Sequence, residues 1–185
     1  AASPFSYDQM DNRRNILINN SKAYNLPVVY VNQVGAQTEL IFDGDSMVVN
    51  SKGKIVEVLK SFEEDIRLFD INEVENTQEI DPISISKIEK IHDAIILGLR
   101  DYFFKMNFKT ATLGLSGGID SAVVLVLAAR ALGSENVRVM LMPSRYSSDH
   151  SISDAVALAD NLGIRYEIVS IEESFKVIEA TMNPI

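Results

Sequence analysis

At 185 residues and 46% hydrophobic, the chain can bury one good core or two small ones. A net charge of −9 argues against a general nucleic-acid footprint, which needs a concentrated Lys/Arg surface. The absence of cysteine excludes disulfides, thiolate zinc sites and a cysteine nucleophile within these residues, and no apolar run reaches membrane-spanning length. The first residues lack the basic and apolar regions of a signal peptide, so a cytoplasmic protein with neither a membrane nor a nucleic-acid partner is expected.

A polar helix is predicted from about Tyr7 to Tyr24, with Ile16 and Leu17 on its apolar side and Pro27 beyond its end. Val28 to Val31 is a dense β-branched run, as expected of a strand buried on both faces. Leu40 to Phe42, Ser46 to Val49 and Ile55 to Leu59 then read as three strands of an antiparallel meander. Asp43-Gly44 and Ser51-Lys-Gly-Lys54 are its tight turns, and neither turn needs chemistry. From Glu63 to Pro82 the chain is acidic, with eight Asp or Glu residues, and reads as a linker between two units.

Beyond Pro82 the pattern alternates. Ile88, Ile91, Ile95, Leu99, Tyr102 and Met106 recur every three or four residues, so a long amphipathic helix is predicted from Ser84 to about Asn107. It faces the core or a partner subunit, and a homo-oligomer is expected. Strands are predicted over 110–115, 137–142 and 165–170, and helices over 120–132 and 153–162, the helices stopped by Gly133 and Gly163. That alternation is a parallel α/β sheet whose functional loops lie at the strand carboxyl ends. Both termini look cut, so an internal piece of a longer protein is expected.

The chemistry concentrates in Thr110-Ala-Thr-Leu-Gly-Leu-Ser-Gly-Gly-Ile-Asp-Ser-Ala122, a strand that breaks into a turn and restarts as an apolar helix. Gly117 and Gly118 lack a Cβ, so the turn can adopt positive φ and a polyanion can approach its amides closely. Ser116 and Ser121 add hydroxyls, and the helix N-terminus adds unpaired amides and partial positive charge. Asp120 would repel a bare phosphate unless a divalent cation lies between them, so the turn reads as a site for a magnesium-bound nucleotide. An ordinary loop with a dipole-favoured Asp120 is the plainer alternative. No Gly-Lys-Ser/Thr follows, so no lysine holds a transferring γ-phosphate. Such a loop suits a pyrophosphate that departs as a unit. It resembles the pyrophosphatase loop of the ATP-dependent adenylating amidotransferases.

Met142-Pro-Ser-Arg-Tyr-Ser-Ser148 follows the next strand and opens on the same sheet edge. In the adenylating family this strand end meets the adenine ring, which implies Leu141 and Met142 here; Arg145 is then within reach of a phosphate or a neighbouring subunit. A connecting loop is the alternative, with Asp149 or Ser151 capping the next helix. His92 and His150 carry no base or ligand signature, and the six methionines read as core filler.

A second resemblance lies upstream. Ala-Ser-Pro-Phe at the start, then Pro27-Val-Val-Tyr-Val-Asn-Gln-Val-Gly-Ala-Gln-Thr-Glu-Leu-Ile-Phe-Asp-Gly-Asp-Ser46, is similar to the last third of the nitrilase-type glutaminase domain of the glutamine-dependent NAD synthetases. Only that family, among the adenylating amidotransferases considered, joins a nitrilase fold to this loop. The resemblance implies an α/β chain: residues 1–66 as the end of a nitrilase-like α-β-β-α domain, an acidic linker over 67–82, and 83–185 as the start of a parallel, Rossmann-like adenine nucleotide alpha hydrolase (PP-loop) domain. It further implies ATP-dependent amidation of deamido-NAD to NAD through an acyl-adenylate, with glutamine or ammonia as nitrogen donor. ATP would be held by Gly114, Leu115, Ser116, Gly117, Gly118, Ile119, Asp120, Ser121, Leu141, Met142 and Arg145, Mg2+ by Asp120, and glutamine by Ser3. Gln9 stands where the family often has a basic residue and Thr38 where it usually has an aspartate. The nitrilase catalytic residues are expected upstream of Ala1, so no catalytic residue is assigned within this chain. A non-catalytic nucleotide-binding or oligomerising piece, or an adenylating enzyme for another carboxylate, are the rival readings.

Overall fold

The structure, a computed structural model, describes residues 1–6, 8–80 and 86–182. The chain divides into two compact units, Ala1–Tyr102 and Phe103–Ile185.

In the first unit, α1 (Gln9–Tyr24) ends at Asn25, whose left-handed backbone (φ 51°) directs its N–H to the Ser21 carbonyl. The expected start at Tyr7 lies outside the described residues. The buried face of α1 is Arg13, Leu17 and Ser21, spaced by four, while Ile16 is 59% exposed, so the expected Ile16–Leu17 face is corrected to Leu17 alone. Leu17 packs against Met47, Val49 and Ile55.

Those residues belong to an antiparallel sheet of β1 (Val28–Tyr30), β4 (Met47–Val49) and β5 (Ile55–Val58), in the order β1-β4-β5. Between them in sequence, β2 (Val34–Gln37) and β3 (Leu40–Asp43) pair as a separate hairpin. The expected three-strand meander is therefore corrected: Leu40 to Asp43 pairs back with Val34 to Gln37, and Asp43-Gly44 is no hairpin turn. Turn chemistry alone did not reveal which strand Leu40 would meet. The strand Val28 to Val31 is not buried on both faces either; β1 is an edge strand of its sheet and Val29 is 55% exposed. The turn at Ser51 to Lys54 does form. Asn50 Oδ1 accepts from the N–H of Lys52 and of Lys54 at 3.1 and 3.0 Å, and Gly53 takes φ 75°.

The described part of the acidic stretch is docked on this sheet. Its one short helix, α2 (Ile71–Val74), is capped by Asp70, whose carboxylate accepts the Asn72 N–H at 2.8 Å. Val74 packs with Val48 and Val56, and Ile80 donates its N–H to the Ile55 carbonyl.

The long helix α3 runs Lys87–Lys105; the expected start at Ser84 lies outside the described residues. Its buried residues, Ala94 and Leu97, lie outside the predicted apolar stripe, for which a core or a partner subunit was the expected contact. Ala94 and Leu97 join Phe62, Phe5, Val34 and Ile41, whereas Ile88 is 72% exposed and Ile95, Tyr102 and Met106 also face outward. Small residues explain the rotation, since a Cβ on Gly98 would stand 3.1 Å from Ile41 Cδ1. The division between units falls inside this helix, beyond the sequence-based border at 82/83.

The second unit is the expected mixed α/β arrangement with a parallel sheet. Its elements are β6 (Ala111–Gly114), α4 (Ile119–Leu132), a 3-10 turn (Ser134–Asn136), β7 (Val137–Leu141), α5 (Asp149–Asn161), β8 (Arg165–Ile168) and α6 (Glu172–Met182). The strand order is β6-β7-β8, all parallel, with Leu113 opposite Val139 and Val139 opposite Tyr166. Both α4 and α5 contact the central strand, of which Val137, Val139 and Leu141 are buried, as are Leu125, Ala128, Ala155 and Ala159 of the two helices. No helix among the described residues is long and apolar enough to cross a membrane. The closing helix α6 was not anticipated. Its apolar residues, such as Val177 and Ile178, stay exposed, so its periodicity marks no core face.

Candidate nucleotide crevice

The carboxyl ends of β6 and β7 lie side by side, tied by the Leu115 N–H donating to the Met140 carbonyl at 3.0 Å. A cavity of about 290 Å³ opens between them, lined by Gly114, Leu115, Ser116, Leu141, Met142 and Ser147 among others. Five residues expected at one site thus meet at one cavity. A Cβ on Gly114 would stand 3.2 Å from Met142 Cε, so a larger residue there would press on the Met142 side of the lining.

Beyond Leu115 the turn is held by its own serines. The Ser116 N–H and hydroxyl reach Ser121 Oγ at 3.3 and 3.1 Å, Gly118 N–H donates to Ser116 Oγ at 3.3 Å, and Ser121 Oγ donates to the Gly118 carbonyl at 3.0 Å. These bonds aim the start of α4 along the end of β6. No side chain caps α4, in contrast to α5, where Ser148 Oγ accepts the Ser151 N–H at 3.2 Å. Ser148 is the cap of α5, not Asp149 or Ser151, because only Ser148 has the extended backbone of a cap (φ −77°, ψ 151°). The first-turn amides of Ile119, Asp120 and Ser121 have no intrahelical acceptor and lie where α4 carries partial positive charge.

The two glycines of the turn differ. Gly117 has φ 79°, and a Cβ there would come within 2.2 Å of the Ser151 carbonyl oxygen and 2.7 Å of its Cα, backbone atoms of α5 that cannot swing away. Gly118 has φ −86°, ψ 157°, an ordinary extended conformation, and its Cβ would meet only Ser116 Oγ at 3.4 Å. The shared need for positive φ is therefore corrected to Gly117 alone. Gly117→Ala is expected to cost at least about 1–3 kcal/mol of stability from backbone strain, whereas Gly118→Ala folds as the wild type does. Urea unfolding of the two variants checks this, and equal midpoints would refute it.

Asp120 lies exposed in the first turn of α4. Among the described residues no group of three or more His, Cys, Asp or Glu side chains forms a metal cage. A single carboxylate beside a turn rich in unpaired amides still fits magnesium, which keeps several waters and takes one or two carboxylates together with phosphate oxygens.

Arg145 does not line the cavity. Its Nη2 and Nε sit 2.6 and 2.8 Å from Glu172 Oε1, its Nη1 3.7 Å from Glu179, and its guanidinium 5.3 Å from the centre of the Phe175 ring. The Glu172 carboxyl is held below its ordinary range by the hydrogen bonds from Arg145. Sequence reasoning missed Glu172, which lies 27 residues away in a helix without a core face.

In the first unit, Ser3 is pinned from both sides. Its N–H donates to Asn32 Oδ1 at 2.9 Å, its carbonyl accepts from Asn32 Nδ2 at 3.0 Å, and its hydroxyl accepts from Arg13 Nη2 at 3.2 Å. Arg13 Nη1 reaches both oxygens of Asp43 at 3.1 and 3.2 Å, and Arg13, Asn32 and Asp43 are all buried. Burial pushes the Asp43 carboxyl up, against the attraction of Arg13. Arg13 and Asn32 were not singled out and Asp43 was read only as a turn residue, although an arginine one turn before Leu17 on the same helical face was a signal. Gln9 is the first residue of α1, exposed, and Thr38 sits at the β2–β3 turn with φ 55°. His92 Nδ1 contacts the Asp93 carboxylate at 2.8 Å, and His150 lies exposed in the first turn of α5.

The family model described as NAD synthase matches residues 91–184, just over half of the chain. A glutamine-dependent NAD(+) synthetase of Synechocystis is 43% identical over all of this chain and 34% of its own length, and one of Thermotoga maritima is 37% identical over 95% of this chain and 36% of its own. A solved structure of the glutamine-dependent NAD+ synthetase from Acinetobacter baumannii, in complex with ADP, superposes with a TM-score of 0.91 at 35% identity, over 99% of this chain and 35% of that one. The chain thus spans about a third of the length of the relatives it matches. With its parallel sheet, its glycine turn at the β6–α4 junction and this match, the chain belongs to the NAD synthase family.

Proposed function

We propose that the full-length protein amidates deamido-NAD to NAD, using ATP and either glutamine or ammonia. The observation that carries this reading is the crevice itself: an uncapped helix N-terminus, a turn that tolerates only glycine at 117, and a cavity at two adjacent parallel strand ends. At about 290 Å³ the cavity is at the lower end of small-molecule pockets, so it takes the base end of a nucleotide while the phosphates extend over the turn. Leu141 and Met142 meet the adenine. The amides from Gly117 to Ser121, with the hydroxyls of Ser116 and Ser121, hold the pyrophosphate.

In the first step a carboxylate oxygen of the nicotinate attacks the α-phosphorus and pyrophosphate leaves. In the second, ammonia attacks the acyl carbon and AMP leaves, and a proton is lost from nitrogen. This chain contributes binding and charge stabilisation for the departing pyrophosphate, from donors already aimed at it. Asp120 would hold Mg2+, which when bound offsets the charge of the phosphates. Ser3, fixed by Arg13 and Asn32, would contact glutamine in the first unit.

The test supplies deamido-NAD, magnesium-ATP and either glutamine or ammonium to the full-length protein and follows NAD, AMP and pyrophosphate. Equal amounts of NAD and AMP are expected with both nitrogen sources. Alkylating the cysteine that the resemblance places upstream should remove only the glutamine-driven reaction. Failure to amidate deamido-NAD with either source would overturn the reading.

A further inference from the structure

The loop from Pro143 to Ser148 supplies one wall of the crevice through Pro143 and Ser147, and it is tied down on the side away from the cavity. One of its anchors is a carboxylate. Glu172, first residue of α6, accepts the Arg145 backbone N–H at 3.0 Å on Oε2 while its Oε1 takes Arg145 Nε and Nη2 at 2.8 and 2.6 Å. The preceding residue, Ile171, donates its N–H to the Pro143 carbonyl at 3.1 Å. Phe175, one turn along α6, stacks under the guanidinium and meets the Tyr146 ring edge-on at 5.6 Å. The loop also closes on itself, with the Ser147 N–H on the Ser144 carbonyl at 2.9 Å and the Ser144 N–H on Ser147 Oγ at 3.1 Å. The turn is thus closed by its own hydrogen bonds, and Glu172 ties it to α6 through both carboxylate oxygens, beside the Ile171 and Phe175 contacts.

We propose that Glu172 is a positioning residue for nucleotide: by holding Arg145 through two hydrogen bonds and an ion-pair contact it fixes the Pro143–Ser147 wall, and so sets ATP affinity without touching ATP. The proposal rests on the reading that this crevice takes ATP. An exposed ion pair contributes little to global stability. The same pair fixing a loop matters for binding, because a loop free in the absence of the clamp must be ordered when ligand arrives. Arg145 then acts through the clamp rather than as a phosphate ligand, since its guanidinium points to Glu172, Glu179 and Phe175 and is not among the cavity-lining groups.

The experiment uses full-length wild type, Glu172→Gln, Arg145→Gln and the double variant. It measures magnesium-ATP dissociation by calorimetry, KM for ATP and kcat in NAD formation, and the melting temperature. Glu172→Gln is expected to weaken ATP binding and raise its KM on the order of tenfold, with kcat and melting close to wild type. Arg145→Gln should match it and the double variant should be no worse, because both substitutions open one clamp. Glu172→Asp, shorter by one methylene, should lose an intermediate amount. Unchanged or tighter ATP binding in Glu172→Gln would overturn the proposal, tighter binding meaning that Glu172 withholds Arg145 from phosphate. A much larger loss in Arg145→Gln than in Glu172→Gln would equally overturn it, by making Arg145 a direct ligand. A wild type that fails to bind magnesium-ATP would instead remove the underlying reading.

Discussion

Asp120→Ala in the full-length protein is expected to abolish magnesium-dependent adenylation, lowering kcat/KM by a factor on the order of 10²–10³, as when one preorganised charge-stabilising group is lost. The reason is the placement of a carboxylate beside an amide-rich turn that otherwise attracts anions. On the proposed reading, removing it would take away the protein's hold on the cation. The fold should survive, because Asp120 is exposed and its interaction with the α4 dipole accounts for only about 0.3–1 kcal/mol. Pyrophosphate release at increasing magnesium, together with far-UV circular dichroism, separates the two effects. Wild-type turnover in a folded variant would sink the assignment.

Arg13→Ala is expected to destabilise the first unit by about 3–5 kcal/mol, because it strands the buried Asp43 carboxylate without its cation. The loss should depend on pH in a defined direction. Burial already holds the Asp43 carboxyl above its ordinary range, with Arg13 opposing. A carboxyl whose folded pKa is raised contributes stability that is fully present below its unfolded pKa and is lost as pH rises through the folded value. Removing Arg13 raises that folded value further, so the deficit of the variant should be smaller at mildly acidic pH and grow toward neutrality. Urea unfolding of wild type and variant at both conditions measures it. A deficit that is constant with pH, or absent, would contradict the account. Replacing both partners by apolar residues of similar volume should recover much of the loss, since the large term is the uncompensated charge rather than the pair.

Much of the second unit was legible before any coordinates, because its signals are local. Val137 to Leu141 alternates into a buried strand, Gly133 and Gly163 stop their helices at φ 86° and 65°, and the strand-turn-helix at Leu115 to Ser121 announces its crevice through residues adjacent in sequence. The turn at Asn50 to Lys54 was legible for the same reason, since its bonds span only two to four residues. What stayed hidden depends on which surfaces come to face each other. The partner of Leu40 to Asp43 was settled by hairpin pairing with Val34 to Gln37, and the buried stripe of α3 by the small residues Ala94 and Gly98 meeting Ile41. Periodicity assigns an apolar face but not the angle at which another element approaches it.

The amino-acid sequence by itself determined the alternation of strands and helices, the glycine turn between β6 and α4 and the family to which the chain belongs, because backbone conformation, hydrophobic period and glycine placement act within a few residues. Tertiary structure alone decided that Gly117 and not Gly118 must be glycine, through the approach of the Ser151 backbone. It alone decided that Asp43 is a buried partner of Arg13, 30 residues away, and that Arg145 turns from the cavity to Glu172, 27 residues on. Charges choose partners by distance and burial, and both are properties of the folded chain.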